Sequence, residues 1–167
     1  TAILCGAMSW VSERNLVSAI SNAGGFGVIA CGAMSPELLD TEIAETKGRT
    51  SRPFGVNLIT MHPQLGDLID VCAGHKVGHV VLAGGLPPAS AVEKIKASGA
   101  RLMAFAPALA LAKKLMRSNV DALVIEGMEA TLRLGDNEKD AGDIALASKS
   151  FDGAADVQVK ATLPQID

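Results

Sequence analysis

Short apolar runs alternate along the chain with longer stretches in which apolar residues return every three or four positions. Six such runs, rich in Val, Ile and Leu, lie at residues 2–5, 27–31, 54–58, 79–83, 101–105 and 122–125. Continuous runs of this length are typical of strands buried on both faces, and the stretches between them have helical periodicity. Successive runs start 21 to 27 residues apart, which suits one strand, one helix and two short loops. The pattern predicts a parallel βα array.

Helix signals support this interpretation of the intervening stretches. Ser35, Pro36 and Glu37 give the second helix an N-cap residue, a proline at its first position and an acid near the positive end of its dipole. Ser12 and Glu13 precede the apolar residues of the first helix. Prolines open the third, fourth and fifth helices, at positions 63, 87–88 and 107.

Two architectures fit a parallel βα array, namely an open doubly wound sheet and a (β/α)8 barrel of the TIM type. The even spacing favours the barrel, because no long crossover marks a reversal of strand order. Eight units of about 24 residues need roughly 190 residues, and complete barrels run to about 250. The chain has 167 residues. We therefore predict an α/β fold of the TIM-barrel type, truncated to about six βα units.

The chain changes character after Ala130. Residues 131–167 hold seven of the 18 acidic and four of the 15 basic residues, so this tail carries the whole net charge of -3. A helical stretch at 143–151 and a short strand at 157–159 are expected there. We divide the chain into a partial barrel at 1–130 and a divergent, partly helical tail at 131–167.

Composition excludes several classes of function. With 15 Lys and Arg against 18 Asp and Glu, no basic tract and 3% aromatic residues, the chain is not a nucleic-acid binder. No apolar run reaches the roughly 18 residues of a membrane span, and no secretory signal precedes the first run, so we expect a cytoplasmic protein. Three distant cysteines predict no disulfide framework. His75 and His79 are four apart, but Gly78 breaks the helix between them, so no metal site is expected.

Ligands bind at the carboxyl ends of the strands in either parallel architecture. The residues that follow the runs are mostly small, including GAM at 6–8 and 32–34 and AGG at 83–85. Glycines let backbone N–H groups approach a ring or a phosphate, although turns alone also require them. Asn57 could bond to the edge of a ring or satisfy loop backbone. Glu126 could accept from a ligand or pair with a lysine.

Five segments together resemble the nitronate monooxygenase family, also called 2-nitropropane dioxygenases. They follow one another in the family's order and cover residues 1–130: CGAMSWV at 5–11, SNAGGFGVI at 21–29, RPFGVNL at 52–58, ALALAK at 108–113 and DALVIEGMEA at 121–130. FMN-dependent enoyl-acyl-carrier-protein reductases share the same pattern, and these motifs do not separate the two groups.

The resemblance implies an FMN-dependent (β/α)8 barrel that oxidises small nitronates or nitroalkanes, with the flavin across the mouth of the barrel. The family's flavin-contacting segment after the first strand matches residues 6–8, which makes Ala7 and Met8 cofactor-binding residues. The family's asparagine matches Asn57, and the acid that closes its sixth strand matches Glu126.

Two departures from the family pattern bear on activity. Arg133 stands where the family has the histidine proposed as base or nitro-group partner, and an arginine that stays protonated binds an anion rather than removing a proton. The glycine-rich phosphate loops that follow the family's seventh and eighth strands have no match in residues 131–167. A partial barrel also leaves open sheet edges through which chains could self-associate. The alternative to an enzyme is therefore a catalytically inactive fragment or an interaction module.

Overall fold

The computed structural model describes residues 3–125, which form alternating helices and strands. The strands are β1 (Val28–Cys31), β2 (Gly55–Ile59), β3 (His79–Ala83), β4 (Arg101–Ala106) and β5 (Ala122–Ile125). The helices are α1 (Arg14–Asn22), α2 (Pro36–Arg49), α3 (Leu65–Gly74), α4 (Ala89–Ala97) and α5 (Leu109–Leu115). The predicted alternation of strand and helix is confirmed from α1 to β5.

The five strands form one parallel sheet in the order β1-β2-β3-β4-β5. Each strand pairs with the next one along the chain, so the sheet winds in a single direction. A doubly wound sheet requires a reversal of strand order, and the described sheet has none. The fold is thus of the TIM-barrel type, and the open doubly wound alternative is wrong.

The first predicted run differs from the expectation. Within the described residues it makes a single parallel bridge, between Leu4 and Phe26, instead of a strand. Farther along β1 the N–H of Ala30, which faces the same side as that of Phe26, donates to the carbonyl of Ser12, so a loop and not a strand lies beside β1 there. A Cβ on Gly27 would lie 2.5 Å from the carbonyl oxygen of Val17, so only glycine allows α1 to approach this closely.

The hydrophobic core lies between the sheet and its helices. Alternate residues of the strands point toward the helices, among them Ile29, Val56, Leu58, Val80, Leu82 and Leu102. Successive helices from α1 to α4 pack on one another along that face. The other strand residues form the inner face, where a barrel has its interior.

Two helix starts show how the sequence sets the boundaries. Ser35 caps α2 as predicted, since its hydroxyl accepts from the N–H of Leu38, and Pro36 takes the first helical position. For α1 the cap is Glu13, whose carboxylate accepts from the N–H groups of Asn15 and Leu16. The hydroxyl of Ser12 therefore does not cap α1.

Several predictions concern features that the structure addresses only in part. No helix among residues 3–125 is long and apolar enough to cross a membrane. The same residues contain no cluster of three or more His, Cys, Asp or Glu that could hold a metal ion. Instead, His75 pairs with Asp40 of α2 at 2.7 Å, and His79 stacks edge-on against Phe26. The boundary at Ala130 and the elements predicted beyond it lie outside the described residues.

Candidate functional site

Five loops meet at the carboxyl edge of the sheet. They follow the Leu4 bridge and the strands β1 to β4, and because the strands are parallel the loops all lie at the same edge. The predicted small segments at 6–8, 32–34 and 83–85 are among them. Glu126 comes directly after the last residue of β5, and both Glu126 and Arg133 lie outside the described residues.

Asn57 lies on the inner face of the sheet, in the middle of β2. Its register partners are Ala30 on β1 and Val81 on β3, and all three residues are buried. The side-chain Nδ2 donates to the carbonyl oxygen of Val81 at 3.3 Å. Since a carbonyl can only accept, the amide nitrogen must face Val81, and Oδ1 is then the atom that a ligand donor would meet.

Asn57 is the one polar residue among the inner positions in the middle of the described strands, while His79 and Arg101 lie on the same face at the amino ends of β3 and β4. The other inner positions in the middle of β1, β3 and β4 are Val28, Ala30, Val81 and Met103. None of these side chains carries an ionisable group. This part of the inner face can therefore exclude water and orient a flat ligand, but it supplies no acid or base of its own.

The first loop is tied down by hydrogen bonds to Ser12. The hydroxyl of Ser12 accepts from the N–H of Met8 at 3.0 Å and donates to the carbonyl of Gly6 at 3.4 Å. The carbonyl of Met8 accepts from the N–H groups of Val11 and Ser12. Trp10 at the tip has a φ of 63°, which is uncommon for a residue with a side chain.

The loop after β3 is fastened to the loop after β2. Thr60 donates its backbone N–H to the carbonyl of Ala83 and its hydroxyl to the carbonyl of Gly84, both at 2.8 Å. Gly84 and Gly85 have φ values of 92° and 111°. A Cβ on Gly84 would lie 3.2 Å from the Thr60 hydroxyl, whereas a Cβ on Gly85 would meet nothing within 4 Å.

Large apolar side chains are exposed around this edge. Trp10 is 69% exposed and Met61 79%, and the others are Met8, Val11, Leu86 and Leu109. Met34, by contrast, is buried. The apolar character of the rim is a feature that motif reading missed.

A thiol and an imidazole lie near this edge of the sheet. Burial raises the pKa of the Cys31 thiol to about 11, against a smaller opposing effect of its hydrogen bond with the backbone of Met34. Cys31 is therefore a protonated thiol at neutral pH. His62 accepts from the N–H of Gln64 through Nδ1 at 3.1 Å.

The edge fits a flat, mostly apolar group such as the isoalloxazine ring of FMN. Neither Gly6 nor Gly85 would place a Cβ within 4 Å of another atom, so the absent side chains leave open space beside the loops. The N–H of Ala7 has no hydrogen-bond partner among residues 3–125. Backbone donors, a single amide and apolar surroundings are the usual lining of a cofactor site.

Comparison with known proteins identifies the family. The sequence profile of nitronate monooxygenase matches residues 1–162. This chain belongs to the nitronate monooxygenase family. The match includes most of residues 131–167, which the sequence interpretation set apart, while the domain boundary placed at Ala130 stays a prediction.

Curated relatives of this family member include two kinds of enzyme. The chain is 32% identical over 124 residues to the (3aS,4S,5R,7aS)-5-hydroxy-7a-methyl-1-oxo-octahydro-1H-indene-4-carboxyl-CoA dehydrogenase of Mycobacterium tuberculosis, covering 73% of this chain and 34% of the relative. It is 28% identical to the nitronate monooxygenase of Paraburkholderia phytofirmans, covering 87% of this chain and 50% of the relative. The family member thus spans about a third to a half of the length of these relatives.

Solved structures agree with the family assignment. FabK from Thermotoga maritima superposes with a TM-score of 0.73 at 38% identity, over 76% of this chain and 40% of the FabK chain. Nitroalkane oxidase from Streptomyces ansochromogenes gives a TM-score of 0.70 at 23% identity, over 76% and 46% of the two chains. The second comparison shows the shared fold.

Proposed function

We propose that this chain contributes the first half of an FMN-binding barrel that oxidises nitronates. The observation that carries the proposal is the convergence of small-residue loops at one sheet edge around the single amide of Asn57. Membership of the nitronate monooxygenase family supports it. A small molecule is the expected substrate.

Named residues would hold the cofactor. Ala7 would contact it through its backbone N–H, and Asn57 would meet a ring donor through Oδ1. Met8, whose N–H and carbonyl are hydrogen-bonded within the loop, and Glu126 stay predicted contacts. When bound, FMN supplies the redox chemistry that no side chain can provide, accepting electrons from the substrate carbon and returning them to oxygen. The chain's own residues orient the ring and keep water from one side of it.

The substitution at position 133 bears on which form of the substrate reacts. A neutral nitroalkane must lose a proton from carbon before oxidation, and that step needs a base. Arginine stays protonated at neutral pH and pairs with anions. If Arg133 takes the place that the resemblance gives it, the site would select the preformed nitronate anion and leave the neutral nitroalkane unreacted.

Oxygen consumption tests this proposal. The full chain is mixed with FMN and assayed with propyl-2-nitronate and with neutral 2-nitropropane. We expect turnover of the nitronate alone, and an Arg133→His variant should gain activity on the neutral compound relative to the wild type. A wild-type chain that shows no flavin spectrum after purification and no thermal stabilisation by FMN would instead support the inactive-fragment alternative.

A second candidate is oxidoreduction of an acyl thioester. It is favoured by the 38% identity to FabK and by the M. tuberculosis relative, whose name specifies a carboxyl-CoA substrate. The resemblance to enoyl-acyl-carrier-protein reductases points the same way. NADH or NADPH oxidation that depends on crotonyl-CoA, without nitronate turnover, would select this candidate over the first.

Location and assembly belong to the proposal as well. The buried, unpaired thiols of Cys31 and Cys72 suit a reducing compartment, which supports the predicted cytoplasmic location. Self-association through open sheet edges stays a prediction, and sedimentation of the purified chain would test it.

A further inference from the structure

We propose that Ser12 is a positioning residue for the flavin, through the segment at residues 6–8. The inference rests on the proposed FMN site and goes beyond it by assigning a role to a residue outside the motif positions. Its hydroxyl sets the direction of the Ala7 amide and thereby the affinity for FMN.

The geometry around Ala7 carries the argument. The Ser12 hydroxyl accepts from the N–H of Met8, on one side of Ala7, and donates to the carbonyl of Gly6, on the other. One side chain therefore fixes the peptide groups that flank Ala7. The N–H of Ala7 itself makes no hydrogen bond within the described part of the chain and is free to donate to a ligand.

Ser12 is itself held rigidly. It is 2% exposed, its carbonyl accepts from the N–H of Ala30 in β1 at 2.9 Å, and its N–H donates to the carbonyl of Met8 at 2.9 Å. The loop is thus anchored to the strand that neighbours Asn57. Through Ser12, the position of Ala7 is set relative to the inner face of the sheet.

The Ser12 hydroxyl does not also cap α1. A serine just ahead of a helix usually caps it, but here the carboxylate of Glu13 accepts from the N–H groups of Asn15 and Leu16. Removing the Ser12 hydroxyl should therefore leave α1 intact. The change removes only the two hydrogen bonds that hold the loop, to the N–H of Met8 and the carbonyl of Gly6.

The test compares Ser12→Ala with Ser18→Ala in the full chain. Ser18 is the matched control, because it is also buried and its hydroxyl donates to the carbonyl of Asn15 within α1, away from the loop. FMN affinity is measured by fluorescence titration and the ring environment by visible circular dichroism of bound FMN. Thermal unfolding without FMN reports the purely structural effect of each change.

Ser12→Ala should weaken FMN binding about tenfold and alter the visible dichroism, whereas Ser18→Ala should stay within about twofold of the wild type. Both variants should melt at similar temperatures without FMN. Equal FMN affinities of Ser12→Ala and the wild type, or equal losses of FMN affinity in the two variants, would overturn this inference and leave the proposed function standing. A wild-type chain that does not bind FMN would overturn the proposed function and this inference with it.

Discussion

The side chain of Asn57 donates to the backbone carbonyl of Val81 on the neighbouring strand, 3.3 Å away and out of contact with bulk water. A polar residue in the middle of a buried strand is costly unless it is hydrogen-bonded. This bond satisfies the amide nitrogen and turns the amide oxygen away from Val81. The same interaction that makes Asn57 tolerable in the sheet also fixes how it would meet a cofactor.

Substitutions of Asn57 should separate stability from binding. Asn57→Asp places a carboxylate, which cannot donate, against the carbonyl of Val81, and we expect it to lower the free energy of unfolding by about 2–4 kcal/mol. Asn57→Leu removes the polar group and should cost below about 1.5 kcal/mol, since the surroundings are apolar. Both should weaken FMN binding about tenfold or more.

Urea unfolding and fluorescence titration would measure these two effects. The comparison of the two variants provides the control, because only Asn57→Asp introduces a charge. An aspartate variant as stable as the leucine variant would show that the amide does not need its bond to Val81.

Two glycine substitutions test the loop after β3, and a third, at the end of α3, serves as their control. Gly84→Ala should lower the free energy of unfolding by about 2–4 kcal/mol, from its positive φ and from crowding against Thr60. Gly85→Ala has the strain without the crowding and should cost about 1–2 kcal/mol. Gly74→Ala, at the end of α3 with open space around it, should be neutral or stabilising by up to about 1 kcal/mol.

Chemical denaturation of the three variants gives the ranking. Equal losses at positions 84 and 85 would mean that Thr60 moves aside, and that its hydroxyl does not hold the loop.

The sequence predicted the array of strands and helices well, because periodicity and capping are local properties. Ser35 at the start of α2 is an example of a signal that needs only its neighbours. The sequential strand order also followed from the spacing, since units of similar length leave no room for a long crossover.

Non-local features were beyond the sequence. The predicted strand before Cys5 is a single bridge, and farther along β1 the N–H of Ala30 bonds to the carbonyl of Ser12 instead of to a strand. The role of Ser12 depends on a loop that folds back four residues, and a serine next to an acid looks like an ordinary helix start. Asn57 was found as a polar residue near the end of an apolar run, although the structure places it in the middle of β2, whereas the exposed Trp10 has no such contrast with its neighbours.

The ion pair of Arg14 with the buried Glu42, between α1 and α2, should contribute more to the free energy of unfolding than the exposed pair of Arg49 with Glu45. Glu42 is 4% exposed and accepts from the guanidinium of Arg14 at 2.8 Å and from its N–H at 2.9 Å. Arg14→Ala leaves this carboxylate with only the backbone bond and should cost about 2–3 kcal/mol. Arg49→Ala breaks the exposed pair with Glu45 and should cost below about 1 kcal/mol. Similar losses of unfolding free energy in the two variants would contradict this ranking.

His79 should make the stability of the fold depend on pH. Burial lowers the pKa of its imidazole, the charge of Arg101 lowers it further, and Asp121 opposes them only in part. The unfolded chain then binds the proton more readily than the folded one. The contribution of His79 to the free energy of unfolding is therefore complete above its ordinary pKa of 6.5 and is lost as the pH falls through the lower folded value.

Urea unfolding between pH 8 and about 5 would measure this for the wild type and His79→Gln. On acidification the wild type should lose more stability than the variant, and all other residues are common to the two chains. A shift toward the wild type would mean that Asp121 outweighs burial at this position.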